Sequence, residues 1–116
     1  MNIVTISGKV SQNAHLNGSG NIRALKFMIA ANSGYDMKKK AERVQYVPCV
    51  FFNPDENIQK QLMHEGEGKD VKFQGNIITS SYEKNGVRIW VTEVKVIPNS
   101  FQIISNQSLI QEVRIE

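Results

Sequence analysis

Apolar and polar side chains alternate with period two along most of the chain, the pattern of strands that bury one face. Val4, Ile6, Gly8 and Val10 share one face of a first predicted strand, with Ile3, Thr5, Ser7 and Lys9 on the other. After a Gly/Asn-rich turn at "NGSGN", Leu25, Phe27, Ile29 and Ala31 line one face of a second strand. A third run, "VQYVPCVFF", is apolar on both faces: Val47, Cys49 and Phe51 alternate with Tyr46, Pro48, Val50 and Phe52. One of those faces therefore needs an explanation other than the core. Pro48 has no N–H to give a ladder, which predicts an edge position or a bulge. The segment "NPDENIQKQLMHEGEG" predicts the chain's one helix, with Asn53 as cap, Pro54 at the first helical position and Glu56 completing a capping box. Ile58 and Leu62 give it one narrow apolar stripe, and Gly66 a stop. Such a helix plugs a structure; it does not build a bundle. Alternation resumes at Val71, Phe73, Gly75 and Ile77, runs into a hairpin, and ends with Val94 and Val96 before Pro98.

Three strands, a short helix and a long two-stranded arm predict an all-β, five-stranded OB-fold barrel. The helix falls between strands three and four, and the arm is an extended hairpin joining strands four and five. Gly8 and Gly75, inside the first and fourth strands, suit the sharp coiling that closure of a small barrel demands. The expected division is an OB-fold domain over residues 1–104 and a C-terminal extension over 105–116. Within the arm, a type I′ turn at Asn85-Gly86 pairs Lys84 with Val87, Glu83 with Arg88, Tyr82 with Ile89 and Ser81 with Trp90. Tyr82 and Trp90 then face opposite ways. Trp90 shares parity with Val94 and Val96, so it is expected to pack at the arm's root, leaving Tyr82 as the exposed aromatic platform.

Length and composition narrow the function. The 116 residues suit one domain, and 14 Lys plus Arg against 11 Asp plus Glu leave a formal charge of +3. A single cysteine, Cys49, excludes an internal disulfide and a multi-cysteine zinc site, and suits a reducing, cytoplasmic setting. No signal-peptide order and no apolar run of roughly 20 residues is present, so no membrane partner is expected. His15 and His64 stand apart from any carboxylate or nucleophile at a suggestive spacing, and no Walker loop, HExxH or GxSxG occurs. The expectation is a binding protein, not an enzyme, with neither cofactor nor metal. Lys38, Lys39, Lys40 and Arg43 cluster in "GYDMKKKAER", directly after Tyr35. That loop is either a solvated hairpin end or an electrostatic guide for a phosphate chain.

"NIVTISGKV", "ALKFMIAAN", "QYVPCVFF" and "YEKNGVRIWVTEVKV" resemble, in order, the successive strands of bacterial single-stranded-DNA-binding proteins, over about residues 2 to 104. The resemblance implies an OB-fold with stacking aromatics at Tyr35, Tyr46, Phe52 and Tyr82. Basic candidates for the phosphate backbone are Lys38, Lys39, Lys40, Lys72, Lys84 and Arg88. It also implies sequence-independent binding of single-stranded DNA in replication, recombination, repair or transfer, by a homo-oligomer, tetramer or dimer, that can meet other replication or recombination proteins. Members typically continue into a Gly/Pro/Gln-rich linker and an acidic tip, whereas this sequence reads "SLIQEVRIE" at its end. Pro48 stands where members tend to carry a polar or basic residue. Those departures match short forms, or the primosomal replication protein B group, whose members serve replication restart. An OB-fold used only for protein contacts, through Tyr46, Phe52 and Tyr82, stays open as a different class, and DNA against RNA is undecided.

Overall fold

In the computed structural model the alternating runs become strands: β1 (Val4–Val10), β2 (His15–Asn17), β3 (Ala24–Asp36), β4 (Ala41–Phe52), β5 (Asp70–Lys84), β6 (Val87–Val96) and β7 (Gln102–Ile104). The one α-helix among the described residues, α1 (Glu56–Glu65), lies between β4 and β5. The structure describes residues 1–18 and 21–104, without the side chains of Ser33, Tyr35 and Glu42; the expected extension over 105–116 lies outside the described residues.

The five long strands follow one another in space as β1-β3-β4-β6-β5, and β5 pairs back to β1 from Val4↔Gly75 to Lys9↔Asp70, so the sheet closes into a ring. This is the predicted OB-fold, with its helix after the third long strand. The short strands β2 and β7 add to β3 and β5. Closure on the β4 side is brief, since β4 and β6 run parallel and pair only through Cys49↔Val94 and Val50↔Lys95. The β3–β4 register passes through Pro48↔Met28 without a shift, and the irregularity falls instead between Asn32 and Tyr35. Of the two expectations for Pro48, the edge-like one holds: β4 bonds a second neighbour only beyond it.

The inward positions are the ones the alternation named. Val10, Leu25, Phe27, Ile29, Cys49, Phe51, Val71, Phe73, Val94 and Val96 form one buried cluster. Leu62 of α1 is fully buried in it, while Ile58 packs alongside, so the helix stoppers one end of the ring. Phe101, which follows Pro98 in a stretch of little pattern, stacks on Phe73 and meets Phe27 and Phe51 edge-on, at ring separations of 5.2 to 6.1 Å. Gly8 and Gly75 mark the closest strand approaches. A Cβ at Gly8 would stand 2.5 Å from the Ala30 carbonyl oxygen, and one at Gly75 would stand 2.5 Å from Val94 Cγ1.

The helix cap differs from expectation. Asp55, not Asn53, caps α1, its carboxylate accepting from the Asn57 N–H at 2.8 Å, and Pro54 precedes the cap. Asn53 instead takes a left-handed turn, φ 49°, and its side-chain oxygen accepts from the Arg23 N–H at 2.9 Å. Asparagine tolerates positive φ better than most residues, and a carboxylate gains more than an amide from the helix's positive end. The two residues divide the work accordingly. At the arm, Asn85 (φ 54°) and Gly86 (φ 79°) form the predicted turn, and the register runs unbroken from Lys84↔Val87 to Gly75↔Val96. Asn2 braces the arm's root by donating to the Ile77 carbonyl and accepting from the Ile77 N–H, each at 2.8 Å.

Candidate nucleic-acid interface

The second apolar face of β4 looks outward, and pairing extends it across three neighbouring strands. Ala30↔Tyr46, Met28↔Pro48 and Lys26↔Val50 put the outward side of β3 beside it, and Val50↔Lys95 adds the outward side of β6. Tyr82↔Ile89 and Ile78↔Glu93 carry the same face along the arm. Tyr46, Phe52 and Tyr82 therefore share one continuous surface, at 63%, 37% and 50% exposure. Val50, although on this face, is fully buried, with Lys26 and Lys95 as its ladder partners on either side. The two-faced strand is thus a core face backed by an aromatic outer one.

Trp90 departs from expectation. Its parity with Val94 and Val96 holds, yet it is 67% exposed and does not pack into the core. The arm has already left the barrel at that point: Trp90 sits about 13 Å along β6 from Val94, so no core lies beneath it. It occupies the side opposite Tyr82, with Arg88, which donates to Ser81 Oγ at 2.8 Å and to Glu83 Oε1 at 3.0 Å.

The basic candidates divide. Lys84 is exposed at the arm's tip on Tyr82's side. Lys38, Lys39 and Lys40 are exposed in the turn joining β3 and β4, where the Asp36 carboxylate accepts from the N–H groups of Lys38 and Lys39 and holds the turn's shape. Lys40 has φ 52°. Lys72 is exposed but lies between Ser7 of β1 and Gln102 of β7, some 33 Å back along β5 from Tyr82 at the usual strand rise. Arg88 is on the arm's other side. Tyr35 pairs with Glu42 near the end of β3, and its side chain lies outside the described residues. One cation was missed: Lys95, whose ammonium stands 5.7 Å from the centre of the Phe52 ring. Its outward parity between Val94 and Val96 was legible, but its neighbour across β4 was not, because the β4–β6 contact is a parallel pairing of distant segments.

Lys26 and Glu93 pair on the same face at 2.8 Å, with Glu93 only 11% exposed. Beside them a cleft of about 350 Å³ opens between the outward side of β3 and β4 and the chain entering β2, lined by Gln12, Asn13, His15, Met28, Pro48 and Glu93 among others. Directly beneath, the Cys49 thiol is buried, and its pKa is pushed up to about 12, by burial first and by the Glu93 charge second. A thiol so disposed is a core side chain, not a nucleophile. Among the described residues no cluster of His, Cys, Asp and Glu is placed to hold a metal ion, and no helix is long and apolar enough to cross a membrane.

The family model for the single-strand binding protein family matches residues 1–104. The chain belongs to that family. It is accordingly a non-enzymatic protein that binds single-stranded DNA. Among solved structures, the single-strand binding protein of Plasmodium falciparum in complex with ssDNA is similar to it, with a TM-score of 0.69 at 20% identity, over 90% of this chain and 93% of that one. At that identity the likeness is one of fold. No curated protein matches the chain at a significant level.

Proposed function

We propose that the outward face of β3, β4 and β6 with the β5–β6 arm is where the DNA strand lies, its bases stacked on Tyr46, Phe52 and Tyr82. The observation that carries this reading is the placement of all three exposed rings on one continuous sheet face. Stacking accepts any base because each has a π face, and each stacked base contributes roughly 1–3 kcal/mol. Tyr35, which the sequence resemblance adds to the series, belongs to β3 close in sequence to the basic turn. Lys38, Lys39, Lys40, Lys84 and Lys95 then follow the phosphates; Lys72 and Arg88, on other surfaces, serve only a strand that wraps further round the molecule. The role is protection and organisation of single strands in replication, recombination, repair or transfer, by a cytoplasmic homo-oligomer.

Fluorescence anisotropy of a labelled oligo-dT, titrated with protein at two salt concentrations, tests the interface. With about five phosphates engaged, log K falls against log salt with a slope of roughly −3.5. No binding even at low salt, or binding indifferent to salt, would sink this reading and leave the aromatic face as a protein contact.

A further inference from the structure

Glu93 is an unexpected residue at the centre of a surface that meets a polyanion. Its side chain is 11% exposed, and its two oxygens accept from Lys26 Nζ at 3.1 and 2.8 Å, so the charge is held in place. A carboxylate already paired with Lys26 offers a phosphate no donor, whereas an N–H donor on a base can still bond to it. A carboxylate has about four lone-pair sites, and one on each oxygen is taken by Lys26. Glu93 is itself one of the residues that line the cleft.

The cleft is large enough to admit a base. Its 350 Å³ lies at the small end of the usual 300–1,000 Å³ for small-molecule sites. Met28 and Pro48 form apolar walls, while Gln12, His15 and Asn17 supply polar groups along the rim. Asn13, also at the rim, is fixed by accepting from the Glu67 N–H at 2.9 Å. Pro48 lies between Tyr46 and Phe52 on the same strand face. A strand stacked on both rings therefore passes over the opening.

We propose that this cleft takes one nucleobase edge-on, and that Glu93 makes it favour bases carrying an exocyclic amino group, cytosine among the pyrimidines. The proposal rests on the reading of this face as the DNA interface. Entering by the edge that carries the C4 substituent, cytosine gives the carboxylate its N4 amino group, whereas thymine turns its O4, another acceptor, to the same position and keeps its one donor, N3–H, on the neighbouring edge. The protein then binds any single strand through stacking and carries one position of base preference.

Competition anisotropy with oligomers of dC, dT and dU tests this. Uracil keeps the O4 of thymine without its methyl group, and pyrimidines avoid the self-stacking of purine strands. Wild type is expected to bind dC about fivefold or more tightly than dT and dU, as one hydrogen bond to a charged group allows. Glu93→Gln, whose amide can turn to offer either a donor or an acceptor, removes the ratio, and thermal melting checks its fold. Gln12→Trp, at an exposed position on the rim, fills the cleft without touching the ion pair and brings dC down to the dT level. Equal binding of dC and dT by the wild type, or a dC preference that survives both substitutions, overturns the proposal alone. Failure of every oligomer to bind at low salt overturns the interface itself and this proposal with it.

Discussion

Tyr82 and Trp90 occupy opposite sides of one arm, and their surroundings assign them different consequences. Tyr82 is half exposed on the face that carries Tyr46 and Phe52, so if that face takes the DNA as proposed, Tyr82→Ala removes a stacking platform and leaves the core untouched. Loss of one base contact corresponds to a drop of roughly tenfold or more in affinity for oligo-dT, from the 1–3 kcal/mol that such a ring contributes. Trp90 is more exposed still, on the opposite side, so Trp90→Ala is expected to leave both binding and stability close to wild type, with a stability change within about 0.5 kcal/mol as for other surface sites. Oligonucleotide titration beside urea unfolding of the two variants checks both halves, and a Trp90→Ala variant that unfolds early would mean that a partner covers this ring. Parity in the sequence identified which side each ring takes. It was blind to where the barrel stops beneath the arm, which depends on the ring closing at Val94 and not beyond it.

At the scale of elements, the long strands and the helix were legible because each carries its own period, and the Asn-Gly turn because its chemistry is local. What escaped was set by contacts between distant segments. The choice of Asp55 over Asn53 as cap turns on the bonds Asn53 makes to Arg23, and Phe101 enters the core among Phe27, Phe51 and Phe73, which three different strands bring together. The aromatic face was legible as a surplus of apolar residues on β4, but Lys95 and the Lys26–Glu93 pair came to it from strands that the sequence leaves unassigned to neighbours. Gly75 shows what ring closure asks of a strand. There β5 passes from its pairing with β1 to its pairing with β6, and an added methyl would meet Val94 Cγ1 at 2.5 Å and the Lys95 carbonyl oxygen at 2.7 Å. Gly75→Ala must push β6 away or distort β5, which is expected to cost about 1–3 kcal/mol in denaturant unfolding, typical of overpacking. An unchanged unfolding midpoint would show that the strands are less tightly apposed than this.

For the molecule as a whole, Cys49 reports on the closed ring. It sits where β4 meets both β3 and β6, paired with Phe27 on one side and Val94 on the other, and it is 1% exposed. No reagent reaches the thiol without opening that junction, so labelling by a thiol reagent follows the population of opened molecules. The raised pKa also couples this residue to pH. In the unfolded chain the thiol ionises near its ordinary value of 9.0, while in the fold it stays protonated up to about 12. Above pH 9 the unfolded state therefore holds fewer protons than the native state, and rising pH favours unfolding. The contribution is fully present below pH 9 and is lost progressively as pH rises toward 12. Lysines and tyrosines titrate in the same range, so the informative quantity is the difference between wild type and Cys49→Ala. The variant is less stable at pH 7, because it leaves a small cavity, but its stability should fall less steeply above pH 9, so the two curves converge as pH rises. Parallel curves would mean that the ring admits water to the thiol well before the protein unfolds.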